Sequence, residues 1–288
     1  MFQILETISD PGHEKKPNED AIGHIDAHAW VIDGATGVAD SELMSDESDA
    51  RWLAQSASGL FAEHAARFGN DLAGLTRFTI KSLHDRFDRE KRRAPNGRYE
   101  LPSAAMTLMH CGSHQIHCVN FADCRLVLLG DDGDIDVMGD HHIDREGASR
   151  SRKAKLLEQV SDGADPFTSP EVMNFLRAAR NLQNREDGYW ILGLDPRAVD
   201  FMRSWTITLT GPVTGLLMSD GFASLTYDYN QLDLAELVRL ARKEGLSSIV
   251  KRTRKVEEND DPAMKLYPRF KRSDDASAIL FRAAPDDA

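Results

Sequence analysis

Residues 104–138, AAMTLMHCGSHQIHCVNFADCRLVLLGDDGDIDVM, decide the fold class. The apolar runs AAMTLMH, HQIHCVNF and CRLVLLG are each cut by turn residues, and Gly130-Asp131-Asp132-Gly133 predicts a hairpin turn into DIDVM. Runs this short and this apolar read as strands, and strands joined by tight turns pair antiparallel. Upstream, Ala29 to Ile32 (AWVI) is another compact apolar run. It ends at Asp33-Gly34 and follows AIGHI and the polar loop PGHEKKPNED. Downstream, YWILGL, SWTITL, TGLLMSDG and a final SAILFR also predict strands.

Between these groups the period changes. From Ser41 to about Phe68, apolar residues such as Trp52, Leu53, Leu60 and Phe61 recur at helical spacing. Asn70 or Asp71 can cap a second helix running to about Arg93. KAKLLEQV, SPEVMNFLRAARNLQ, LAELVRLARKEG and the stretch after Leu246 are predicted helices, with a charged loop around Glu257–Pro268. Strands, two helices, strands, helices, then strands suit an α+β chain in which sheets pack together with helices outside. No repeat and no linker divides residues 1–288, so a single domain is expected.

The chain carries 35 Lys and Arg against 47 Asp and Glu, a formal charge of −12. That balance argues against sequence-independent nucleic-acid binding, which depends on basic residues neutralising phosphates. The N-terminal MFQILETISD has neither a basic region nor a long apolar stretch, and no run reaches membrane-spanning length. The three cysteines, Cys111, Cys118 and Cys124, are an odd number within one short stretch and do not form a disulfide framework. A soluble cytoplasmic protein with no membrane partner is the expectation; oligomeric state stays open.

The informative residues are acids at strand ends. Asp33 follows WVI, Asp220 follows LLMS, Asp274-Asp275 precedes SAILF, and Glu19-Asp20 precedes AIGHI. Read singly, Asp-Gly is a hairpin turn and Asp274-Asp275 beside Lys271 and Arg272 is a surface ion-pair cluster. Read together, carboxylates at the ends of buried strands can be held rigidly around one point. There they repel one another unless cations are present, and hard oxygen ligands select Mg²⁺ or Mn²⁺ over zinc.

This ordered set resembles the metal-dependent (type-2C) Ser/Thr protein phosphatases. The resemblance rests on NEDA at 18–21, VIDGATG at 31–37, SAAMTL at 103–108, NFADCRLVLLGDDG at 120–133, LLMSDGF at 216–222 and SDDASAI at 273–279. It implies a four-layer α-β-β-α sandwich, two central antiparallel sheets flanked by helices, with a binuclear metal centre at one edge. It further implies that Asp33 bridges two Mg²⁺ or Mn²⁺ ions, with the Gly34 carbonyl as another ligand and Asp220 and Asp274 holding one ion. Glu19 would act through water, Asp20 would orient that shell, and Asp123 would help Asp220 hold a third ion. Ser219 and Asp275 would be supporting residues. The implied reaction is hydrolysis of phosphoserine or phosphothreonine in a phosphoprotein by water activated between the ions, with Asp33 and Asp220 central to catalysis. Ions of this kind neutralise the ester dianion and lower the pKa of water.

The chain departs from the family pattern in several places. Lys15 stands where an Arg often grips the substrate phosphate, and it supplies charge without a bidentate fork. Ala35 and Thr36 stand where several relatives carry a His proposed as general acid, leaving His13 as the nearest histidine in sequence. The usual Gly-Asp-Ser-Arg is Ala122-Asp123-Cys124-Arg125, and the last motif has Asp275 for Asn. Two alternatives therefore stay open: a phosphatase-like regulatory or binding module, and a phosphatase for a small phosphorylated metabolite.

Other signals read as structural. His110, Cys111, His114, His117 and Cys118 lack zinc-ligand spacing, and His141-His142 reads as exposed. Asp131 to Asp136 imitate part of a calcium loop but lack its terminal Glu, so a hairpin turn is expected. Lys91-Arg92-Arg93 and Lys251 to Lys255 read as solvated helix faces or ends, with docking of an acidic partner as the minority reading. The role of residues 139–185 is not legible.

Overall fold

In chain order, β1 (Phe2–Asp10), β2 (Asp20–Ile25) and β3 (His28–Gly34) lead into helices α1 (Asp49–Phe68) and α2 (Leu72–Glu90). Strands β4 (Ala104–Cys111), β5 (Gln115–Phe121), β6 (Arg125–Gly130) and β7 (Ile135–Met138) follow, then α3 (Pro170–Arg180), β8 (Arg203–Thr208) and β9 (Val213–Met218). Helices α4 (Asp220–Tyr227), α5 (Leu234–Glu244) and α6 (Leu246–Lys255) precede β10 (Ala276–Ala283). This computed structural model describes residues 1–44, 47–139, 155–158, 160 and 165–286.

The strands form two antiparallel five-stranded sheets, β1-β10-β9-β6-β7 and β2-β3-β4-β5-β8. Alternation along each strand explains the layering. On β3, Ala29 and Val31 point into the space between the sheets, while Trp30 and Ile32 point out against α1 and α2. On the other sheet, Leu126, Leu128, Leu217, Ile279 and Phe281 face inward, and Val127, Leu216, Met218 and Leu280 face out toward α4, α5 and α6. Both faces of each sheet are thus covered, which is why the strands read as near-continuous apolar runs rather than as alternating ones. The three cysteines lie buried between the sheets as free thiols, and burial pushes the Cys111 thiol up to about 11.

Three boundaries differ from the sequence reading. The first helix begins at Asp49, not Ser41, because the Asp49 carboxylate accepts from the Leu43 and Met44 backbone N–H groups (2.6 and 2.7 Å) and folds that segment back on the helix start. Leu43 still reaches the same core from this loop. Helix α2 stops at Glu90, and Arg93 turns away to pair with the buried Glu100 (2.6 Å), so the basic run there is not simply a solvated face. YWILGL forms no strand; among the described residues it makes only the isolated bridges Gln183↔Tyr189 and Ala104↔Leu192. Both sides of β4 are already taken by β3 and β5, leaving no free edge for a further strand. Of the predicted helix at 153–160, residues 155–158 and 160 are described and 155–157 are helical, while His141-His142 lies outside the described residues. Among the described residues no helix is long and apolar enough to cross a membrane.

Candidate metal centre

The two sheets bring four separate chain segments to one edge. Asp20 and Asp33 are register partners, Asp20 opening β2 and Asp33 next to last in β3. Asp220 opens α4 directly after β9, where a carboxylate meets the favourable end of the helix dipole. Asp274 precedes β10, which pairs with β9, and Asp123 lies in the turn between β5 and β6. That turn is fixed from beneath: Thr107 Oγ1 and Asn120 Nδ2 both donate to the Cys124 carbonyl (2.9 and 2.8 Å). Ala122 enters it with φ 59°, a left-handed conformation that costs a residue with a Cβ about 1 kcal/mol.

Backbone approach at this edge is close enough to require glycine. A Cβ on Gly34 would lie 2.5 Å from the Glu19 carbonyl oxygen, and one on Gly221 would lie 2.1 Å from that of Asp275. Asp275 holds the first motif in place, its two carboxylate oxygens accepting from the backbone N–H of Gly12 (2.8 Å) and of Glu19 (2.7 Å). Asn18 accepts from the Asp20 N–H (2.9 Å), and Ser219 Oγ accepts from the Ser277 N–H (3.0 Å). The Glu19 carboxylate accepts from the Ser48 and Thr36 hydroxyls, so Thr36, two residues past Gly34, orients an acid.

The electrostatics report the crowding directly. Burial, then the charges of Asp220, Asp20, Asp274 and Asp123, push the Asp33 carboxyl well above the usual carboxylate range. Asp220 is pushed up to about 6, by burial first and then by Asp123 and Asp274, while a hydrogen bond with Asp33 and the Lys271 ammonium pull the other way. Asp20 is 2% exposed, and neither of its carboxylate oxygens has a partner at hydrogen-bond geometry among the described residues. Desolvation raises its pKa strongly, and the Ser219 and Ser277 side chains offset this only in part. Buried carboxylates without donors are costly unless a cation compensates them.

Two cations reach the cluster that the sequence reading did not place there. Lys271 Nζ pairs with Asp274 Oδ1 at 2.7 Å and also feels Glu19 and Asp33, which raise its pKa. The pairing was visible as an i,i+3 neighbour of Asp274, but it sits at the mouth of the cluster rather than out on the surface. Arg180, the last residue of α3, donates from Nη1 to Ser103 Oγ (3.2 Å) and from Nη2 to the Thr36 carbonyl (3.1 Å), with Glu19 and Asp33 as its nearby acids. No local sequence signal marks it. Lys15 occupies an exposed turn, its backbone N–H donating to His13 Nδ1, and it is not among the main charges that shift Asp20, Asp33 and Asp220. A cavity of about 560 Å³ opens beside the cluster, lined by Asp220, Lys271 and Asp274 on one side and by Tyr229, Tyr267 and Phe270 on the other.

The donors suit a hard divalent cation: all are carboxylate or carbonyl oxygens, the buried Asp20 carboxylate has no well-formed hydrogen bond among the described residues, and the neighbouring acids raise the Asp33 pKa. As the side chains stand, no three His, Cys, Asp or Glu groups among the described residues close to ligand distance around one point. Away from the cluster, His110 and His117 are cross-strand neighbours, while Cys111 and Cys118 face the opposite side of the sheet between the layers.

Solved structures with the same arrangement span the whole chain. The Mycobacterium tuberculosis serine/threonine phosphatase PstP/Ppp superposes with a TM-score of 0.57 at 12% identity, covering 98% of this chain and 98% of that one. The chain has the fold of the bacterial serine/threonine phosphatases. The catalytic domain of the serine threonine protein phosphatase PstP, in complex with two manganese ions, matches at TM-score 0.55 and 14% identity, covering 99% of this chain and 100% of that one. Stp1 from Staphylococcus aureus matches at 0.53 and 16%, covering 98% and 94%. No protein-family model matches the sequence, and no curated protein matches it. The type-2C sandwich is therefore recognised through its tertiary arrangement, with two antiparallel sheets flanked by helices.

Proposed function

We propose that this chain is a Mg²⁺- or Mn²⁺-dependent phosphatase that hydrolyses phosphoserine or phosphothreonine in proteins. The observation that carries the reading is the enclosure of Asp33 by Asp20, Asp123, Asp220 and Asp274, contributed by separate segments and each raising its pKa. In this reading Asp33, the Gly34 carbonyl, Asp220 and Asp274 would hold the two cations, Asp123 with Asp220 would hold a weaker third, Glu19 would act through water and Asp20 would orient that shell. Cations held there neutralise the phosphate dianion and make water more acidic.

The protein's own contribution is positioning. Thr36 and Ser48 fix the Glu19 carboxylate, and Asp275 fixes the backbone that carries it. Lys271 holds Asp274 at the mouth of the site, facing the cavity through which an ester can approach. The chain presents Ala35 and Thr36 after Asp-Gly, so the leaving alkoxide would take its proton either from water or from another histidine, His13 being the nearest in sequence.

The test is p-nitrophenyl phosphate hydrolysis with Mn²⁺, with Mg²⁺ and with EDTA, followed by phosphopeptides against sugar phosphates at matched concentration. Metal-dependent turnover that Asp33→Ala abolishes is expected. Turnover unaffected by that substitution refutes the site, and a strong preference for sugar phosphates overturns the protein substrate. A second reading, a binding module that keeps the fold, is favoured by Lys271 already pairing with Asp274. Mn²⁺ binding without any turnover would select it.

A further inference from the structure

A half-buried guanidinium whose hydrogen-bond partners are neutral, set beside the acid cluster of a proposed phosphate-hydrolysing site, implies an anion that is to come. Arg180 is in this position. Its two hydrogen bonds go to neutral oxygens, the Ser103 hydroxyl and the Thr36 carbonyl, and its remaining N–H groups make none among the described residues. No carboxylate lies within ion-pair distance of it among those residues, and desolvation holds it below the usual arginine range. A desolvated charge with no direct ion-pair partner is costly until something pairs with it.

The anchoring points give its location relative to the acids. Ser103 directly precedes Ala104, the register partner of Gly34, and the Ser103 carbonyl accepts from the Ala35 N–H (3.0 Å). Arg180 therefore ties together the two segments that leave the β3–β4 ladder immediately past Asp33. Helix α3 is itself clamped onto this region: Arg177 Nε donates to the Val38 carbonyl (2.8 Å), and Arg177 Nη2 pairs with Asp40 (2.6 Å). The guanidinium is thus held at a fixed place instead of sampling solvent.

The other basic groups are engaged or remote. Lys271 is paired with Asp274, Arg125 lies 3.8 Å over the Tyr227 ring and donates to the Asp123 carbonyl, and Lys15 is exposed. We infer that Arg180 is the residue that binds the phosphoryl oxygens of the substrate, from the helix at 170–180 rather than from the first motif. This rests on the phosphatase reading and takes over the role expected of Lys15. A guanidinium fork offers parallel N–H donors to two phosphate oxygens, which an ammonium does not. The ligand class is a phosphomonoester dianion or inorganic phosphate, bound between this fork and the acid cluster.

The experiment titrates inorganic phosphate calorimetrically into Mn²⁺-loaded protein, with wild type, Arg180→Met, Arg180→Lys and Lys15→Ala. Mn²⁺ affinity, melting temperature, and KM and kcat for p-nitrophenyl phosphate are measured in parallel. Losing charge-assisted bonds should weaken phosphate binding about tenfold or more in Arg180→Met, with a matching rise in KM. Arg180→Lys should recover part of that loss, Lys15→Ala should stay within about twofold of wild type, and Mn²⁺ affinity should be unchanged. Because the substitution removes a desolvated charge that has no direct ion-pair partner, Arg180→Met should melt no lower than wild type. Phosphate affinity unchanged in Arg180→Met, or lost in Lys15→Ala instead, overturns the inference. Should wild type bind phosphate yet show no turnover, the phosphatase reading fails while the titration still decides the role of Arg180.

Discussion

Replacing Asp220 by Asn should make the metal-free protein more stable at neutral pH. The folded state pushes the Asp220 carboxyl from 3.8 to about 6, so it holds that proton more tightly than the unfolded chain does. A carboxyl with a raised folded pKa contributes most below about pH 4 and loses that contribution as pH rises through about 6. A shift of about two units corresponds to roughly 3 kcal/mol, an upper figure because Lys271 and water at the mouth share the charge. Asp220→Asn keeps the shape and can still donate to Asp33, but it removes the charge that Asp33, Asp123 and Asp274 oppose. In EDTA, urea unfolding across about pH 4 to 8 should show the variant equal to wild type at the acid end. At the neutral end it should be up to about 3 kcal/mol more stable, or about 5 °C in melting temperature for a chain of this size. Mn²⁺ at about a thousand times its Kd should reverse the order, since a ligand at that excess adds about 4.1 kcal/mol only to a protein that binds it. A variant that is no more stable than wild type at neutral pH without metal would refute the reasoning, because the acids would then not be crowding one another.

Two further substitutions probe the backbone of the same edge. Ala122→Gly relieves the left-handed strain at φ 59° and should stabilise by about 1 kcal/mol, read as a rise of about 2 °C in melting temperature; no rise would show that the turn is unstrained. Gly221→Ala places a Cβ 2.1 Å from the Asp275 carbonyl oxygen. It should cost about 2 to 3 kcal/mol and weaken Mn²⁺ binding together with stability, because Asp220 and Asp275 move apart to admit the methyl group. Calorimetric titration with Mn²⁺ alongside thermal unfolding checks this, and unchanged values in both would contradict the observed packing.

The sequence by itself determined the layers and the acids. Strand runs such as AAMTLMH and CRLVLLG, and the helical period after Trp52, are local patterns fixed by where each side chain points, so they can be read without knowing the partners. The order of the acids at strand ends, with the resemblance it carries, pointed to one sandwich edge for the same reason: a strand end is a local feature. Start and stop points were less legible, since the Asp49 carboxylate that folds back residues 43–44, and the occupied edges of β4 that exclude YWILGL, are contacts between elements. The tertiary structure alone decided which cations meet the acids. Lys15 has the expected position in the chain but stays in solvent, whereas Arg180, 147 residues past Asp33, arrives beside it on a helix whose docking depends on Arg177 reaching Val38 and Asp40. Coulomb energy depends on distance through space, and separation along the chain does not encode it.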